Sequence, residues 1–401
     1  MLRWWGWLQN LAPAKFLDAW HSGTASRDVS LPPFPWYGCM SAAWLLENRR
    51  QLPPPVMHWF REAGLYPELL DGLPADAPVP ERRKCLRHFF KGGDMPAMAI
   101  EELLPAWIDD ELPDGDSLDR RQLIEWFQKR PPVWIRAQCN DADGFVAALQ
   151  KQSEGAVKPL PHPVLPHAYC VRHASANLRG LKAFQDGLFE VQDLASQAVA
   201  FVCDPRPGDQ WWDACAGGGG KTLHLAQLMH NRGTILATDL RAEKLEEVKL
   251  RARRGHFNNI RMKQWNGKSG ADYRDRFDGV LVDVPCSCSG TWRRTPDGRW
   301  NTTREKIAEF AALQGQILNA AAEGVKPGGK LVYSTCSMFR SENQGVVESF
   351  LQTHPDFILL PHDNPLTAQP AEGMTQIWPW PEDNDAMFTA LMVRRKKTLA
   401  D

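Results

Sequence analysis

The second half of the chain alternates short apolar strands with helices, and this alternation constrains the fold more than any other feature. The strand candidates occupy residues 210–215, 234–239, 260–265, 279–284, 330–335, 356–360 and 388–394. Helical spacing of apolar residues lies between them, at about 220–231, 242–254, 303–323 and 341–353. Alternation at this spacing predicts an α/β domain with a seven-stranded, mostly parallel sheet that is covered by helices on both faces. The last two strands are joined by a long connection without a clear helix.

Two further regions precede this domain. Residues 1–130 have helix-like apolar spacing that proline-rich breaks interrupt at 32–35, 53–55 and 78–80, so we predict a helical N-terminal domain. Pro131-Pro132 marks the next boundary. Residues 131–205 are predicted to form a small α+β module, in which the proline-rich stretch 156–170 is interpreted as an extended linker. The α/β domain is then predicted over residues 206–401.

Composition excludes several classes of protein. The 401 residues are 43% hydrophobic and 24% charged, with a formal net charge of −1, which is ordinary for a globular protein. Neither part of the chain is a polybasic field, so any nucleic-acid binding has to come from local patches. We find no apolar run of 18 or more residues and expect no membrane partner.

The nine cysteines are scattered and need no disulfide framework, which fits a reducing cytosol. They include no Cys-x-x-Cys pair, and Cys286-Ser287-Cys288 by itself is a poor zinc signature. We therefore expect a cytoplasmic protein without a metal.

A glycine-rich loop follows the first strand of the α/β domain. It reads Asp213-Ala214-Cys215-Ala216-Gly217-Gly218-Gly219-Gly220-Lys221-Thr222. A P-loop needs glycine where this chain has Cys215, so that match fails. Glycines let the backbone approach a ligand closely, although a plain strand–helix turn is the alternative.

An acidic residue follows at the end of the second strand. Asp239 lies about 20 residues beyond the loop, where a carboxylate can hold ribose hydroxyls, although it can also simply cap the next helix. Loop and acid together favour a nucleoside-type cofactor and leave open whether it is NAD or S-adenosylmethionine.

Two cysteines end the fourth and fifth strands and indicate the chemistry. Cys286 closes Asp283-Val284-Pro285-Cys286, and Cys336 closes Tyr333-Ser334-Thr335-Cys336. Methyltransferases that act on amino groups usually carry Asp/Asn-Pro-Pro-aromatic where this chain has Asp283-Val284-Pro285-Cys286. Methylation at C5 of a pyrimidine instead requires a thiol, because C5 becomes nucleophilic only after sulfur adds to C6.

The last ~270 residues closely resemble the RNA (cytosine-5)-methyltransferases, the group of bacterial 16S rRNA methyltransferase B (Sun/Fmu) and its nucleolar relatives. The segments that carry the resemblance are Phe184–Gln197, Asp213–Thr222, Asp283–Ser287, Gly290–Asp297, Tyr333–Ser337 and Glu342-Asn343. The resemblance implies a Rossmann-like class I methyltransferase domain and S-adenosylmethionine as cofactor. It implies RNA as the partner, with rRNA expected and tRNA as an alternative, and a monomer is favoured.

The resemblance also implies roles for individual residues. Cys336 attacks C6, Cys286 assists breakdown of the adduct, Asp283 binds the cytosine N3/N4 edge and Lys221 faces the same pocket. The cofactor-binding residues are expected to be Cys215, Ala216, Gly217, Gly218, Gly219, Gly220, Lys221, Asp239, Asn266 and Asp283. Cys288 occupies a variable family position and receives no role.

Two positions depart from the family pattern. The usual Cys-Ala-Ala-Pro-Gly-Gly-Lys-Thr is here Cys215 to Thr222 without proline, which is expected to loosen the loop. Asn266 stands where the family usually has Asp, and its side-chain carbonyl can still accept from the amino group of adenine.

RNA contact has two candidate segments. Residues 241–263 are rich in Lys and Arg, and Trp292-Arg293-Arg294, Arg299-Trp300 and Arg304 combine cations with aromatic rings, which suits phosphate contact and base stacking. A solvated helix face is the alternative. The competing functional hypotheses are a catalytically silent RNA-binding or ribosome-assembly factor with this fold and, more distantly, a P-loop NTPase.

Overall fold

The computed structural model describes residues 1–12, 35–47, 52–65, 77–90, 95–113, 118–139, 141–172, 177–380 and 382–396. The chain forms two compact units. One, here called the helical unit, comprises Met1–Asp110, Asp114–Arg130 and Trp292–Asn301. The other, here called the sheet unit, comprises Glu111–Pro113, Pro131–Thr291 and Thr302–Asp401.

The described elements of the helical unit are α-helices and short 3-10 helices. The α-helices are Trp5–Leu8, Trp36–Leu46, Pro54–Glu62, Val79–Arg82, Arg120–Phe127 and Gly298–Asn301. Two of the predicted proline breaks instead begin helices, at Pro54 and just before Pro80. Proline fits the first turn, since its fixed φ is helical and its missing N–H would have no partner there anyway. The break predicted at 32–35 lies mostly outside the described residues.

The segment Trp292–Asn301 packs inside the helical unit. Arg293 and Arg299 have no exposed surface, and their guanidinium groups lie over the rings of Trp126 and Phe127, at 4.5 and 4.8 Å from the ring centroids. Arg299 also donates to the Leu103 carbonyl at 3.0 Å. The prediction that these two arginines contact RNA phosphate is therefore wrong, because their charge is used in cation–π and hydrogen-bond contacts within the unit.

Residues 131–203 contain a four-stranded sheet of their own. Its strands are β1 (Val133–Ala137), β2 (Pro159–Pro161), β3 (Ala168–Val171) and β4 (Phe189–Val191), in the order β2-β3-β1-β4. The α-helices are Ala142–Gln152, Lys182–Gln185 and Leu194–Cys203. The stretch 156–170 is thus not a linker: β2 is an edge strand, where the N–H that proline lacks is not needed by a neighbour.

The large sheet carries the site. Its strands are β5 (Gln210–Asp213), β6 (Thr234–Asp239), β7 (Ile260–Gln264), β8 (Phe277–Asp283), β9 (Val325–Thr335), β10 (Phe357–Leu359), β13 (Met374–Ile377) and β14 (Met387–Arg394), with the pair β11 (His362–Asp363) and β12 (Pro370–Ala371) forming a separate ribbon. The order is β10-β14-β9-β8-β5-β6-β7, and β13 pairs with β14. Strands β5 to β9 are parallel to one another, whereas β14 is antiparallel to β9.

The predicted Rossmann-like, mostly parallel sheet is confirmed, with one addition. Strand β13 lies in the long connection before the last strand and adds an eighth strand to this sheet in the described part of the chain. The helices of this part are Gly220–Leu228, Ala242–Arg254, Arg304–Ala322 and Gln344–Thr353. Strand β8 is apolar on both faces, as expected of a parallel strand with helices above and below it.

No helix among the described residues is long and apolar enough to cross a membrane.

Candidate active site

The two cysteines meet because their strands are adjacent and parallel. Asp283, the last residue of β8, pairs with Ser334 of β9, so both strands deliver their following residues to the same edge of the sheet. Cys286 Sγ and Cys336 Sγ lie 3.4 Å apart. Residues fifty apart in sequence therefore lie side by side at the carboxyl edge, where open α/β sheets bind ligands.

A third thiol joins them. The sulfur atoms of Cys286, Cys288 and Cys336 all lie within 4.8 Å of one another. Hydrogen bonds from the other two thiols stabilise one thiolate and lower the pKa of Cys288, to about 3, while a hydrogen bond to Cys288 raises the pKa of Cys286. At Cys336 the hydrogen bond with Cys286 lowers the pKa, but the bond to Cys288 and burial outweigh it and raise the pKa overall. Of the three thiols, Cys288 is thus the one at which the thiolate form is favoured.

A pair of opposite charges lies beside the thiols. Lys221 Nζ donates to Asp283 Oδ2 at 2.7 Å, and Ser334 Oγ donates to Asp283 Oδ1 at 2.6 Å. Burial lowers the pKa of Lys221, but the charge of Asp283 and its hydrogen bond outweigh burial, so the pKa is raised. Lys221 therefore stays an ammonium group next to the cluster, and Asp283 is held by two partners.

A buried glutamate that we did not predict as a site residue fixes both cysteine loops. Glu342 is fully buried. Its Oε1 accepts from the Ser287 N–H at 2.8 Å, and its Oε2 accepts from the hydroxyls of Ser287 and Ser337 at 2.5 and 2.6 Å. Because Ser287 follows Cys286 and Ser337 follows Cys336, one carboxylate positions both thiols. The signal in the sequence is the serine after each cysteine.

A cavity of about 400 Å³ opens beside the thiol-bearing edge. Its lining is Ala214, Cys215, Gly217, Asp239, Leu240, Arg241, Trp265, Asn266, Gly267, Asp283, Val284, Pro285, Leu313 and Ile317. The size suits a small-molecule ligand. One part of the wall is apolar, with Trp265, Leu313 and Ile317, and another presents the carboxylates of Asp239 and Asp283, so a ligand with a flat ring and hydroxyl or cationic groups fits this set of side chains.

Asp239 links the second strand to the glycine loop. Its Oδ2 accepts from the Gly217 N–H at 2.9 Å, and its Oδ1 accepts from the Arg241 N–H at 2.9 Å and from Arg241 Nε at 3.1 Å. Burial raises its pKa, but these donors outweigh burial and lower it. The carboxylate is therefore ionised and orders the loop. The predicted alternative of a simple helix cap accounts for only part of these contacts.

The glycine loop needs glycine at particular positions. Gly217 has φ +51° and Gly219 has φ +84°, a region that other residues enter at a cost. A Cβ at Gly219 would also lie 3.0 Å from Leu223 Cδ1 and 3.1 Å from Val248 Cγ2. The Gly219 N–H donates to Ala216 O at 2.8 Å, which closes the turn into the helix Gly220–Leu228.

Comparison with known proteins identifies the family. Residues 200–393 match the family model described as 16S rRNA methyltransferase RsmB/F. The ribosomal RNA small subunit methyltransferase B of Salmonella typhi is 33% identical over 297 residues, which cover 73% of this chain and 67% of that protein. The chain belongs to the RsmB/F family. It is an RNA methyltransferase, as the sequence predicted.

Solved structures share the fold of this chain. The crystal structure of the protein PH0851 has a TM-score of 0.74 and 26% identity, and the match covers 98% of this chain and 88% of that one. NSun6 from Pyrococcus horikoshii, solved with SFG, has a TM-score of 0.60 at 20% identity over 69% of this chain and 95% of its own, which shows a shared fold. The class I methyltransferase fold is confirmed.

The structure places the predicted RsmB/F site residues in three groups. Cys286, Cys336, Asp283 and Lys221 lie together. Cys215, Gly217, Asp239, Asn266 and Asp283 line the cavity. Ala216, Gly218, Gly219, Gly220 and Lys221 are not part of the lining, although Lys221 contacts Asp283, which is. Arg241, Leu313 and Ile317 line it without having been predicted. The roles of all these residues stay predictions.

The predicted basic patch at 241–263 is partly used inside the sheet unit. Arg251 donates to Glu190 at 3.0 Å, Arg254 pairs with the same buried carboxylate, and Lys244 and Lys249 pair with Glu247 and Glu246. Arg253 and Arg261 do not take part in these ion pairs. The positive field of this face is therefore weaker than the sequence suggests.

Proposed function

We propose that the protein transfers the methyl group of S-adenosylmethionine to C5 of a cytosine in RNA, with rRNA as the expected substrate and tRNA as the alternative. The observation that carries the proposal is the 3.4 Å separation of Cys286 Sγ and Cys336 Sγ beside the cavity. Covalent activation of C5 requires one thiol to add to C6, and here a second thiol stands within reach of the adduct. Membership of the RsmB/F family supports RNA, and rRNA, as the substrate.

The cavity fits S-adenosylmethionine in size and in the set of groups it presents. Asp239 would hold the ribose hydroxyls, Asn266 the adenine edge, and the loop Cys215–Gly220, through its lining residues Cys215 and Gly217, the remainder of the molecule. P. horikoshii NSun6, a structural neighbour, was solved with SFG, an analogue of S-adenosylmethionine. When bound, the cofactor supplies an electrophilic methyl group to C5.

The residues of the chain perform the remaining steps. The thiol of Cys336 loses its proton to solvent as its sulfur adds to C6, and N3 takes up a proton from solvent as the ring loses its 5,6 double bond. Asp283 accepts hydrogen bonds from the N3–H and N4–H groups, and Lys221 orients its carboxylate through the hydrogen bond to Oδ2. After C5 has accepted the methyl group, the C5 and N3 protons pass to solvent and the S–C6 bond breaks with its electron pair on the Cys336 sulfur, which restores the 5,6 double bond. Cys286 assists this release.

Replacing each thiol separately tests the scheme. With labelled S-adenosylmethionine and either 16S rRNA or bulk tRNA, we expect Cys336→Ala to abolish formation of 5-methylcytosine. Cys286→Ala is expected to accumulate a covalent RNA–protein adduct that is visible on a denaturing gel. Cys139→Ser, a half-buried thiol in the four-stranded sheet region, is the matched control and should retain activity. Loss of activity in both variants without an adduct would contradict the division of roles.

A measurement of cofactor binding alone distinguishes the enzyme from the alternative, a catalytically silent RNA-binding or ribosome-assembly factor. Calorimetry of the wild-type chain with S-adenosylmethionine requires no RNA, and a scaffold that had lost catalysis would not need to bind it. Intact Cys336, Cys286, Asp283 and Lys221 favour the enzyme. Absence of binding would favour the scaffold.

We also propose that residues 1–130 and the module 131–205 help to select the RNA. Trp36 and Tyr37 are 53% and 44% exposed on the helix Trp36–Leu46, and exposed rings of this kind stack on unpaired bases. A monomeric state and a cytoplasmic location stay predictions.

A further inference from the structure

Cys288 is the member of the thiol cluster for which the proposed reaction has no use. Its backbone has φ +56°, a left-handed conformation that is unusual for any residue other than glycine and that marks a position held by its surroundings. The turn around it supplies the hold, since Thr291 N and Thr291 Oγ1 donate to the Cys288 carbonyl at 2.9 and 3.0 Å.

Both neighbours of Cys288 are fixed as well. Ser287 is bound by Glu342, and Ser289 Oγ lies 3.1 Å from Ser337 Oγ and accepts from the Met338 N–H at 2.8 Å. Hydrogen bonds on both sides of Cys288 therefore hold it against the loop that follows β9. Its sulfur points to the same place as those of Cys286 and Cys336 without any rearrangement of the fold.

The three sulfur atoms match the spacing of a thiolate metal site. Zn²⁺ bonds thiolate at about 2.3 Å in tetrahedral geometry, which sets neighbouring sulfurs about 3.8 Å apart. Here one pair is separated by 3.4 Å, and all three lie within 4.8 Å. Adjustments of less than about 1 Å would thus complete three corners of a tetrahedron and leave the fourth to water.

The charge balance also favours a cation. Zn²⁺ with three thiolates forms a site with a net charge of −1, and the thiol protons displaced on binding pass to solvent. The ammonium group of Lys221 lies close enough to Cys336 for their charges to interact, and it offsets that negative charge. Soft thiolate ligands select zinc over the hard cations Mg²⁺ and Ca²⁺.

We infer that Cys286, Cys288 and Cys336 form a binding site for a thiophilic divalent cation, with Zn²⁺ as the ligand. Occupancy converts the sulfur of Cys336 from a nucleophile into a metal ligand. If the proposed function holds, zinc is therefore a reversible inhibitor of methyl transfer, and Cys288 is the residue that makes the enzyme sensitive to it.

Zinc titration of the full-length reduced protein against a chromophoric chelator tests the site without RNA or S-adenosylmethionine. We expect one tight equivalent in the wild type. Cys288→Ser should weaken it by at least about tenfold, the smallest loss usual even for a residue that only supports a metal ligand. Cys139→Ser is the control and should bind like the wild type. Equal affinity in Cys288→Ser, or no tight equivalent in the wild type, would overturn the inference.

Two additional measurements keep the outcome interpretable. Cys288→Gly suits the left-handed backbone and replaces the serine variant if that variant no longer binds S-adenosylmethionine. Alkylation followed by mass spectrometry should show that zinc protects Cys288 and Cys336 but not Cys139, and protection confined to other cysteines would sink the proposal. A wild type that binds zinc but methylates no RNA would instead count against the proposed function alone.

Discussion

Two aspartates beside the same glycine loop have opposite environments. Asp239 lies at the cavity and accepts from the Gly217 and Arg241 donors, whose hydrogen bonds lower its pKa. Asp213 is 1% exposed and accepts from Thr222 Oγ1 at 2.6 Å, and burial raises its pKa to about 7. The first is suited to binding a ligand as a carboxylate, and the second is stable when it carries a proton.

We expect Asp239→Asn to weaken cofactor binding. The substitution keeps the size of the side chain but removes the charge that orders the Gly217 N–H and Arg241. Hydrogen bonds to charged groups contribute about 1.5–3 kcal/mol, so Kd for S-adenosylmethionine should rise roughly tenfold to a hundredfold. Calorimetry measures the change. Glu243→Gln, an exposed acid on the following helix, should leave Kd unaltered, and an unaltered Kd in Asp239→Asn would remove Asp239 from the site.

The raised pKa of Asp213 predicts a pH-dependent stability. Its pKa is about 7 in the folded protein against an ordinary value of 3.8, so the stabilisation from its bound proton is fully present below pH 3.8 and is lost as pH rises through 7. Within that window the wild type should lose up to about 1.4 kcal/mol per pH unit from this group. Asp213→Asn has no titrating carboxyl at this position and therefore lacks this pH-dependent contribution to stability. Urea unfolding of both proteins at pH 5, 6, 7 and 8 should give a difference that changes below pH 7 and levels off above it, whereas parallel curves would contradict the assignment.

At the scale of elements, replacing glycine by alanine should have opposite effects in the glycine loop and in the long helix Arg304–Ala322. Gly219→Ala places a Cβ against Leu223 and Val248 at φ +84°, and a non-glycine residue in such a region costs about 1–3 kcal/mol. Gly315 lies within the helix, and a Cβ there meets nothing within 4 Å. Gly315→Ala should therefore stabilise the protein by up to about 1 kcal/mol.

Chemical unfolding of the two glycine variants provides the measurement. We also expect Gly219→Ala to weaken S-adenosylmethionine binding, because the turn that presents Gly217 would shift, while Gly315→Ala should bind normally. If Gly219→Ala and Gly315→Ala changed the free energy of unfolding equally, the loop backbone at position 219 would tolerate a side chain without strain. The loosening expected from the missing proline of the loop stays a prediction.

Elements of strong local pattern were predictable, and those of weak pattern were not. The apolar run of β8 and the alternation of helices around it predicted the parallel sheet because burial on both faces requires such a composition. The sequence of strand β2, with Pro159 and Pro161, indicates a linker. Its strand conformation depends on pairing with β3, which the sequence of β2 alone does not show. Strand β13 escaped prediction for the same reason, as it exists by pairing with β14.

At the scale of the whole molecule, the helical unit is assembled from distant parts of the chain. Trp292 is 1% exposed and Arg299 is fully buried, and both belong to that unit although they follow Cys286 closely in sequence. Burial also lowers the pKa of Arg299, to about 9. The segment Trp292–Asn301 therefore depends on residues 1–130 for its structure.

A chain of residues 131–401 should thus bind S-adenosylmethionine with unchanged affinity but lose methyl transfer. Its segment 292–301 would have no helical unit to pack in and should become sensitive to trypsin at Arg293 and Arg299, which full-length protein protects. Calorimetry, a methyl-transfer assay and mass spectrometry of the digest give the three readouts. Full activity of the shortened chain would show that residues 1–130 serve neither the RNA nor this segment.

The sequence by itself determined the class of sheet, the location of the glycine loop and the two cysteines of the RsmB/F pattern, because each is encoded in consecutive residues. Tertiary structure decided what distant residues do together. It brought Cys288 to the thiols, set Glu342 under both cysteine loops and buried Arg293 and Arg299. The physical reason is that hydrogen bonds, cation–π contacts and desolvation depend on distances between segments far apart in sequence, and the spacing of residues along one segment does not report them.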